Sequence, residues 1–224
     1  MSNSNIKVKG THRRSRPLTH RIIAAVHRYG AGNRVFTPAD FAPHLGNDVS
    51  VRKALSRLVA DGKLVRLRQG LYFWPKVSKV LKVSVPPSPD AVVDAIARRD
   101  GVVIVPDNLV AANDVGVTNA VPAKPVYLTT GNPMTIHIGG QTITLKKASK
   151  PVAAVAKARV AAKVVQTLTW LGKKGASRAE NIAALRKYVG TRGKLPPLPR
   201  LDSLPKWMRD IVCALLSSGA PRFA

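Results

Sequence analysis

The spacing of apolar residues changes several times along the chain, and each change marks an element. Behind Pro17, the positions Leu18, Ile22, Ile23 and Val26 recur at helical intervals and predict a helix running to Tyr29. Gly30 to Asn33 ends it. In "FTPADF", Thr37 suits an N-cap, Pro38 the first helical position and Asp40 the positive helix start. A short helix is expected there, ending near Leu45 and Gly46. The tight turn "GNDVS" leads into a third helix that begins at about 48–50.

In that third helix Val51, Ala54, Leu55, Leu58 and Val59 form one apolar stripe. Stepping ~100° per residue puts Lys53, Ser56, Arg57 and Ala60 on the opposite face, with Arg52 at its edge and Ser50 at its start. Asp61–Gly62 stops the helix. The segments "KLVRL" and "LYFW" predict two short strands, and "RQG" between them predicts a hairpin tip with Gly70 free to take positive φ. Helix, helix, tight turn, helix and hairpin is the order of a winged helix-turn-helix. Tyr72, Phe73 and Trp74 are expected to pack back on the helices.

Residues 76–89 read as a linker with a stiff "VPPSP" end. A helix from Ser88 to Arg99 follows, then the buried strand "GVVIVP" and a short helix from Asp107 to Val115. "KPVYLTTG", "PMTIHIG" and "QTITLKK" predict three strands, the last two a hairpin across Gly139–Gly140. A long Ala/Lys helix is expected from Pro151 to Leu171, stopped by Gly172. Ser177 and Glu180 have capping-box spacing for a helix to Val189, and "SLPKWMRDIVCALLSSG" predicts a last amphipathic helix behind the proline-rich "KLPPLPR". The fold class is therefore α+β. A basic arm (1–16) precedes a winged helix-turn-helix (17–80), a mixed α/β domain (89–172) and a helical C-terminal extension (173–224).

Charge sharpens this picture. The 224 residues hold 37 Lys+Arg against 11 Asp+Glu, a net +26. Residues 1–88 carry 17 basic and 3 acidic side chains, 89–150 carry 6 and 5, and 151–224 carry 14 and 3. A near-neutral middle between two basic ends fits an interior-forming core with flanks that face a polyanion, nucleic acid being the usual one. Cys213 is the only cysteine, which excludes disulfide frameworks and multi-cysteine zinc sites and points to a reducing cytoplasm. The sequence has no apolar run long enough to span a bilayer and no secretory leader pattern in its first residues. The Ala/Lys helix lacks the aromatic-rimmed apolar face of a membrane-docking helix.

The residues expected to meet duplex DNA are Ser50, Arg52, Lys53, Ser56 and Arg57 on the third helix, Arg66, Arg68 and Gln69 on the hairpin, Thr37, and Arg13, Arg14 and Arg16 of the arm. Lys157, Arg159 and Lys163 suggest an accessory basic surface. No histidine has a partner at metal-ligand spacing, so neither metal nor cofactor is expected. The sole glutamate has a capping explanation, the aspartates sit mostly at helix starts and turns, and neither a clustered carboxylate pair nor a phosphate loop is visible. An enzyme is not expected.

Two runs carry a family resemblance: "FTPADFAPHLGNDVSVRKALSRLVADGKLVRLRQGLYFWP" and "VPDNLVAANDVGVTNAVPAKPVYLTTGNPMTIHIGGQTITLKKAS". Their specific pieces are "ALSRL", "G-K-L" and "R-x-G-L-Y" in the first, and "AAN", "VPAKPVYLT" and "IGG-x-T-I" in the second. Over about residues 18–172 the chain resembles the antitoxins of bacterial type IV toxin–antitoxin systems, the abortive-infection AbiEi-like proteins and their DUF6088-type relatives. The phrase "DNLVAANDVGVTNAVP" departs from their more leucine-rich pattern. The resemblance implies a winged helix that binds inverted repeats in its own promoter, as a homodimer or as cooperating monomers, and represses it. It also implies a second domain that supports action against a nucleotidyltransferase-type toxin. Two alternatives remain open: a regulator without a toxin, and an RNA-binding or nucleoid protein that uses the same cations on backbones only.

Overall fold

A computed structural model describes residues 16–32, 34–78, 84–191 and 201–217. The basic arm up to Ser15, including Arg13 and Arg14, and the "KLPPLP" connector lie outside the described residues. The described chain is mixed α/β, with α1 (Leu18–Tyr29), β1 (Val35–Phe36), a 3-10 turn (Pro38–Asp40), α2 (Ala42–Leu45) and α3 (Asp48–Ala60) at its start. Then come β2 (Val65–Arg68), β3 (Leu71–Phe73), β4 (Lys76–Val77), β5 (Ser84–Val85), α4 (Pro89–Asp100), β6 (Ile104–Pro106) and α5 (Asn108–Val115). The remainder is β7 (Val126–Thr129), β8 (Met134–Ile138), β9 (Gln141–Lys147), α6 (Lys150–Val155), α7 (Arg159–Ala176), α8 (Ala179–Gly190) and α9 (Lys206–Ser217).

The hairpin gains a third strand that the apolar spacing did not announce. β1 pairs antiparallel with β3, and β3 with β2, so the order is β1-β3-β2. Two residues are too few to show a period, so β1 leaves no mark in the apolar spacing. Side chains alternate across a strand, and here both faces of the sheet are covered. Phe36 and Tyr72 enter a core with Ile22, Val26, Val51, Leu55 and Leu58 of α1 and α3. Val35, Leu71 and Phe73 enter a different core with Val92, Val93 and Ile96 of α4. The three aromatic-rich residues of β3 are all buried for this reason. Gly70 turns the hairpin tip at φ +73.

The same alternation organises the larger sheet, ordered β6-β7-β9-β8, with β7 and β9 parallel and the other pairs antiparallel. Ile104, Tyr127, Ile136, Ile143 and Leu145 face the α4 core. Val105 and Leu128 face a helical core built on Val164, Val165 and Leu168 of α7. That core also takes Leu185, Tyr188 and Val189 of α8 and Met208, Val212 and Leu215 of α9. α8 and α9, both after residue 172, thus contribute to the interior rather than forming an appendage.

Five expectations need correcting. The linker 76–89 contains the paired strands β4 and β5. The long Ala/Lys helix is two helices, interrupted at 156–158 so that Val155, Ala156 and Ala158 all reach the interior. Gly172 does not stop the second one but kinks it at φ 63, ψ 175. Ser177 closes α7 by donating its hydroxyl to the Lys173 carbonyl (2.9 Å) instead of capping α8, and Arg178 takes the N-cap position. Cys213, expected on the apolar side of the last helix, is exposed.

Candidate nucleic-acid interface

α3 starts firmly. The Asn47 side chain accepts from the Ser50 amide at 2.8 Å, and Asp48 sits in the first turn where the helix dipole favours a carboxylate. Val51, Ala54, Leu55 and Leu58 are buried against α1, which leaves Ser50, Arg52, Lys53, Ser56 and Arg57 exposed on the far side. Arg52 is held by Asp48 one turn earlier, at 2.5 Å. Lys53 and Arg57, also one turn apart, form no ion pair among the described residues. They line a shallow depression of about 240 Å³ with Pro17, Leu18, Thr19, Ser50 and Ala54. Arg16 is exposed at the edge of the described chain, next to Pro17.

The hairpin tip is tethered. The Arg99 guanidinium donates to the Gln69 carbonyl at 3.0 Å, and Arg68 reaches the Thr135 carbonyl of β8 at 3.5 Å. Arg68 also lies close enough to Asp100 to help lower that carboxyl's pKa, although the Arg99 hydrogen bond to Asp100 is the main cause. Of the three hairpin residues expected at DNA, Arg66 is exposed with no partner among the described residues.

Thr37 was expected to touch DNA, and the structure overturns this. It is 1% exposed, and both its backbone N–H and its hydroxyl donate to Asp40, at 2.7 and 3.1 Å. It is a cap whose oxygen faces inward. Asp40 in turn accepts from Arg34 at 2.8 Å and from Arg98 of α4 at 3.2 Å. Burial would raise the Asp40 pKa, but the Thr37 amide, Arg98 and Arg34 together outweigh it and hold the carboxyl below its ordinary range. The role of Arg98 was not legible in the sequence, because a basic residue in the last turn of a helix already has a dipole explanation.

The accessory basic surface is corrected as well. Arg159 pairs with Asp94 of α4 at 3.0 Å, and Lys163 pairs with Asp114 of α5 at 2.5 Å. Two of its three cations are therefore neutralised between helices, and Lys157 alone stays exposed without an ion pair among the described residues. Arg159 and Lys163 border a small pocket of about 200 Å³ together with Asp90, Asp94 and Tyr127. The Tyr127 hydroxyl donates to Asp90 at 2.8 Å. Asp90 and Asp94, one helical turn apart, are a carboxylate pair that the sequence reading did not single out. Among the described residues no group of three or more His, Cys, Asp or Glu is placed to hold a metal ion. No described helix is long and apolar enough to cross a membrane.

Residues 21–189 match the model of DUF6088, described as a family of unknown function, and the chain belongs to that family. No curated protein matches the sequence. The matched stretch contains α3, the hairpin, the Asp40 network and the whole four-stranded sheet.

Proposed function

We propose that this chain is a DNA-binding transcriptional repressor of the antitoxin type, acting in the cytoplasm. In this reading α1 to β3 form a winged helix-turn-helix, α3 enters a major groove and the β2–β3 hairpin follows the adjacent backbone. The observation that carries it is the outward face of α3. Lys53 and Arg57 stand there, exposed and without an ion pair among the described residues, on a helix whose other side is fixed in the core. A purely solvated basic face needs no depression beside it. Here α1, whose Thr19 joins Ser50 at the edge, forms one wall of a surface able to take a phosphate backbone.

The excess of +14 in residues 1–88 supplies the long-range attraction. The two motif runs extend the reading to an autoregulating antitoxin that counters a nucleotidyltransferase-type toxin. A competition experiment tests the DNA part. The protein is bound to its own labelled promoter fragment at physiological salt and challenged with excess random duplex. Retention of the promoter complex is expected, and equal displacement by random duplex would reduce the protein to a backbone binder. Co-expression with the neighbouring gene tests the antitoxin part, with rescue of growth expected.

A further inference from the structure

A groove of about 540 Å³ lies away from the α3 face. It runs between α1 and the stretch from Asp40 to Leu45. Ala24, Ala25, Phe41 and Leu45 make its floor, and Arg21, Arg28 and His44 its rim. Ala24, Arg21, Arg28 and His44 are all exposed, so the groove is open to solvent. Helical geometry separates it from the DNA-facing depression. At ~100° per residue, Arg21, Ala24, Ala25 and Arg28 fall on one side of α1, roughly opposite Thr19, which borders that depression. Ile22 and Val26 point into the core between them.

We propose that this groove is a docking site for an acidic amphipathic helix of a partner protein. Small residues at 24 and 25 allow a second helix to approach closely, while the half-buried Leu45 and the exposed Tyr29 give it an apolar surface to cover. Arg21 and Arg28 are two turns apart, about 10.5 Å along the axis, matching carboxylates two turns apart on a facing helix. The Arg28 guanidinium has no partner among the described residues, and Arg21 makes one long bond, 3.4 Å, to the His44 carbonyl. The carboxylate that also lines the groove, Asp40, is already matched by Arg34 and Arg98, so charge complementarity asks for an anionic occupant. A second copy of this chain does not provide one. All eleven acidic residues lie in described segments, none of the described helices carries two of them two turns apart, and α4, with two one turn apart, has Asp90 bonded to Tyr127 and Asp94 to Arg159. The occupant comes from another protein, and because the groove and α3 face different ways, it binds while DNA is held.

The test uses the full chain and three synthetic peptides. The first is an amphipathic helix with leucines at i, i+3, i+4 and i+7 flanked by glutamates. The second replaces the glutamates by lysines, and the third is a scramble of the first with the same net charge. Fluorescence anisotropy at physiological salt should show binding of the acidic helix alone. Arg21→Glu with Arg28→Glu should weaken it about tenfold or more, and Ala24→Trp, which fills the groove, should do the same. Lys53→Glu with Arg57→Glu should leave peptide affinity unchanged, and promoter duplex should not compete with the peptide.

Equal binding of the scramble would overturn the proposal in favour of general charge attraction. So would a loss of duplex affinity in the Arg21/Arg28 variant matching that of the Lys53/Arg57 variant, which would make the groove a nucleic-acid contact. Self-association in sedimentation that Ala24→Trp abolishes would assign the groove to a second copy and equally defeat the proposal.

Discussion

Arg98 of α4 donates from Nε to the Asp40 carboxylate at 3.2 Å and from Nη2 to the Val35 carbonyl at 2.8 Å. One guanidinium thus ties together the cap of the 3-10 turn, the edge strand β1 and the first helix of the following half. Asp40 is the hub of this arrangement, with its side chain only 9% exposed. Replacing it by Asn leaves Arg34 and Arg98 facing a neutral amide and weakens the Thr37 cap. Asp40→Asn should cost about 2–3 kcal/mol, the scale of a charged hydrogen bond plus part of a cap. Urea unfolding monitored by circular dichroism measures it.

The same hub makes a prediction about acid. The Asp40 pKa in the folded protein lies below its ordinary value of 3.8, so its stabilising contribution is fully present above that value. It is lost as pH falls through the lower, folded pKa. The urea midpoint of the wild-type protein should therefore drop more steeply on acidification below 3.8 than that of Asp40→Asn, and the two curves should converge.

Tyr127 behaves oppositely. Burial, reinforced by the negative charges of Asp90, Asp114 and Asp94, pushes its pKa well above the ordinary 10.0. Folding therefore favours the neutral phenol, and that contribution is intact below 10.0 and lost as pH rises beyond it toward the folded value. A Tyr127→Phe variant should be less stable than wild type at neutral pH by about 1 kcal/mol for the lost bond to Asp90. That gap should shrink in titrations carried above pH 10.0, read as the urea midpoint of each protein.

Arg99 fastens the hairpin tip through the Gln69 carbonyl, and its Cδ lies 3.3 Å from where a Cβ on Gly70 would stand. Arg99→Ala should release the tip without disturbing the cores. Amide hydrogen exchange at residues 68–71 should speed up, while global stability changes by less than about 1 kcal/mol, since the Arg99–Asp100 pair is partly exposed.

The pairing of Arg159 and Lys163 predicts what does not matter for nucleic acid. Replacing both with Ala removes two positive charges that are already matched by Asp94 and Asp114. The slope of log affinity against log salt for duplex binding should stay unchanged. A slope shallower by about two would return these residues to the interface.

Long periodic elements were legible in the sequence because their own residues settle them. α3 and α4 carry apolar stripes and side-chain caps, Asn47 and Ser88, and the β8–β9 hairpin carries alternation with a glycine pair. β1 was not legible, because a two-residue strand exists only through its partner β3. The break between α6 and α7 contains no Gly or Pro, and Val155 and Ala156 both pack into the helical core there. For the candidate interface, periodicity identified which α3 residues face outward. It was silent on which cations are free, since Arg52, Arg159 and Lys163 find carboxylates 4, 65 and 49 positions away in the chain. The last two pairings depend on tertiary placement, which no local pattern encodes, whereas Arg52 and Asp48 stand four apart on one helix.

The central claim is that Lys53 and Arg57 contact the phosphate backbone, and the ionic-strength dependence of promoter binding tests it most directly. Anisotropy titrations at several salt concentrations should give Lys53→Ala with Arg57→Ala a log–log slope shallower than wild type by about two. A wild-type slope together with wild-type affinity in that double variant would contradict the account.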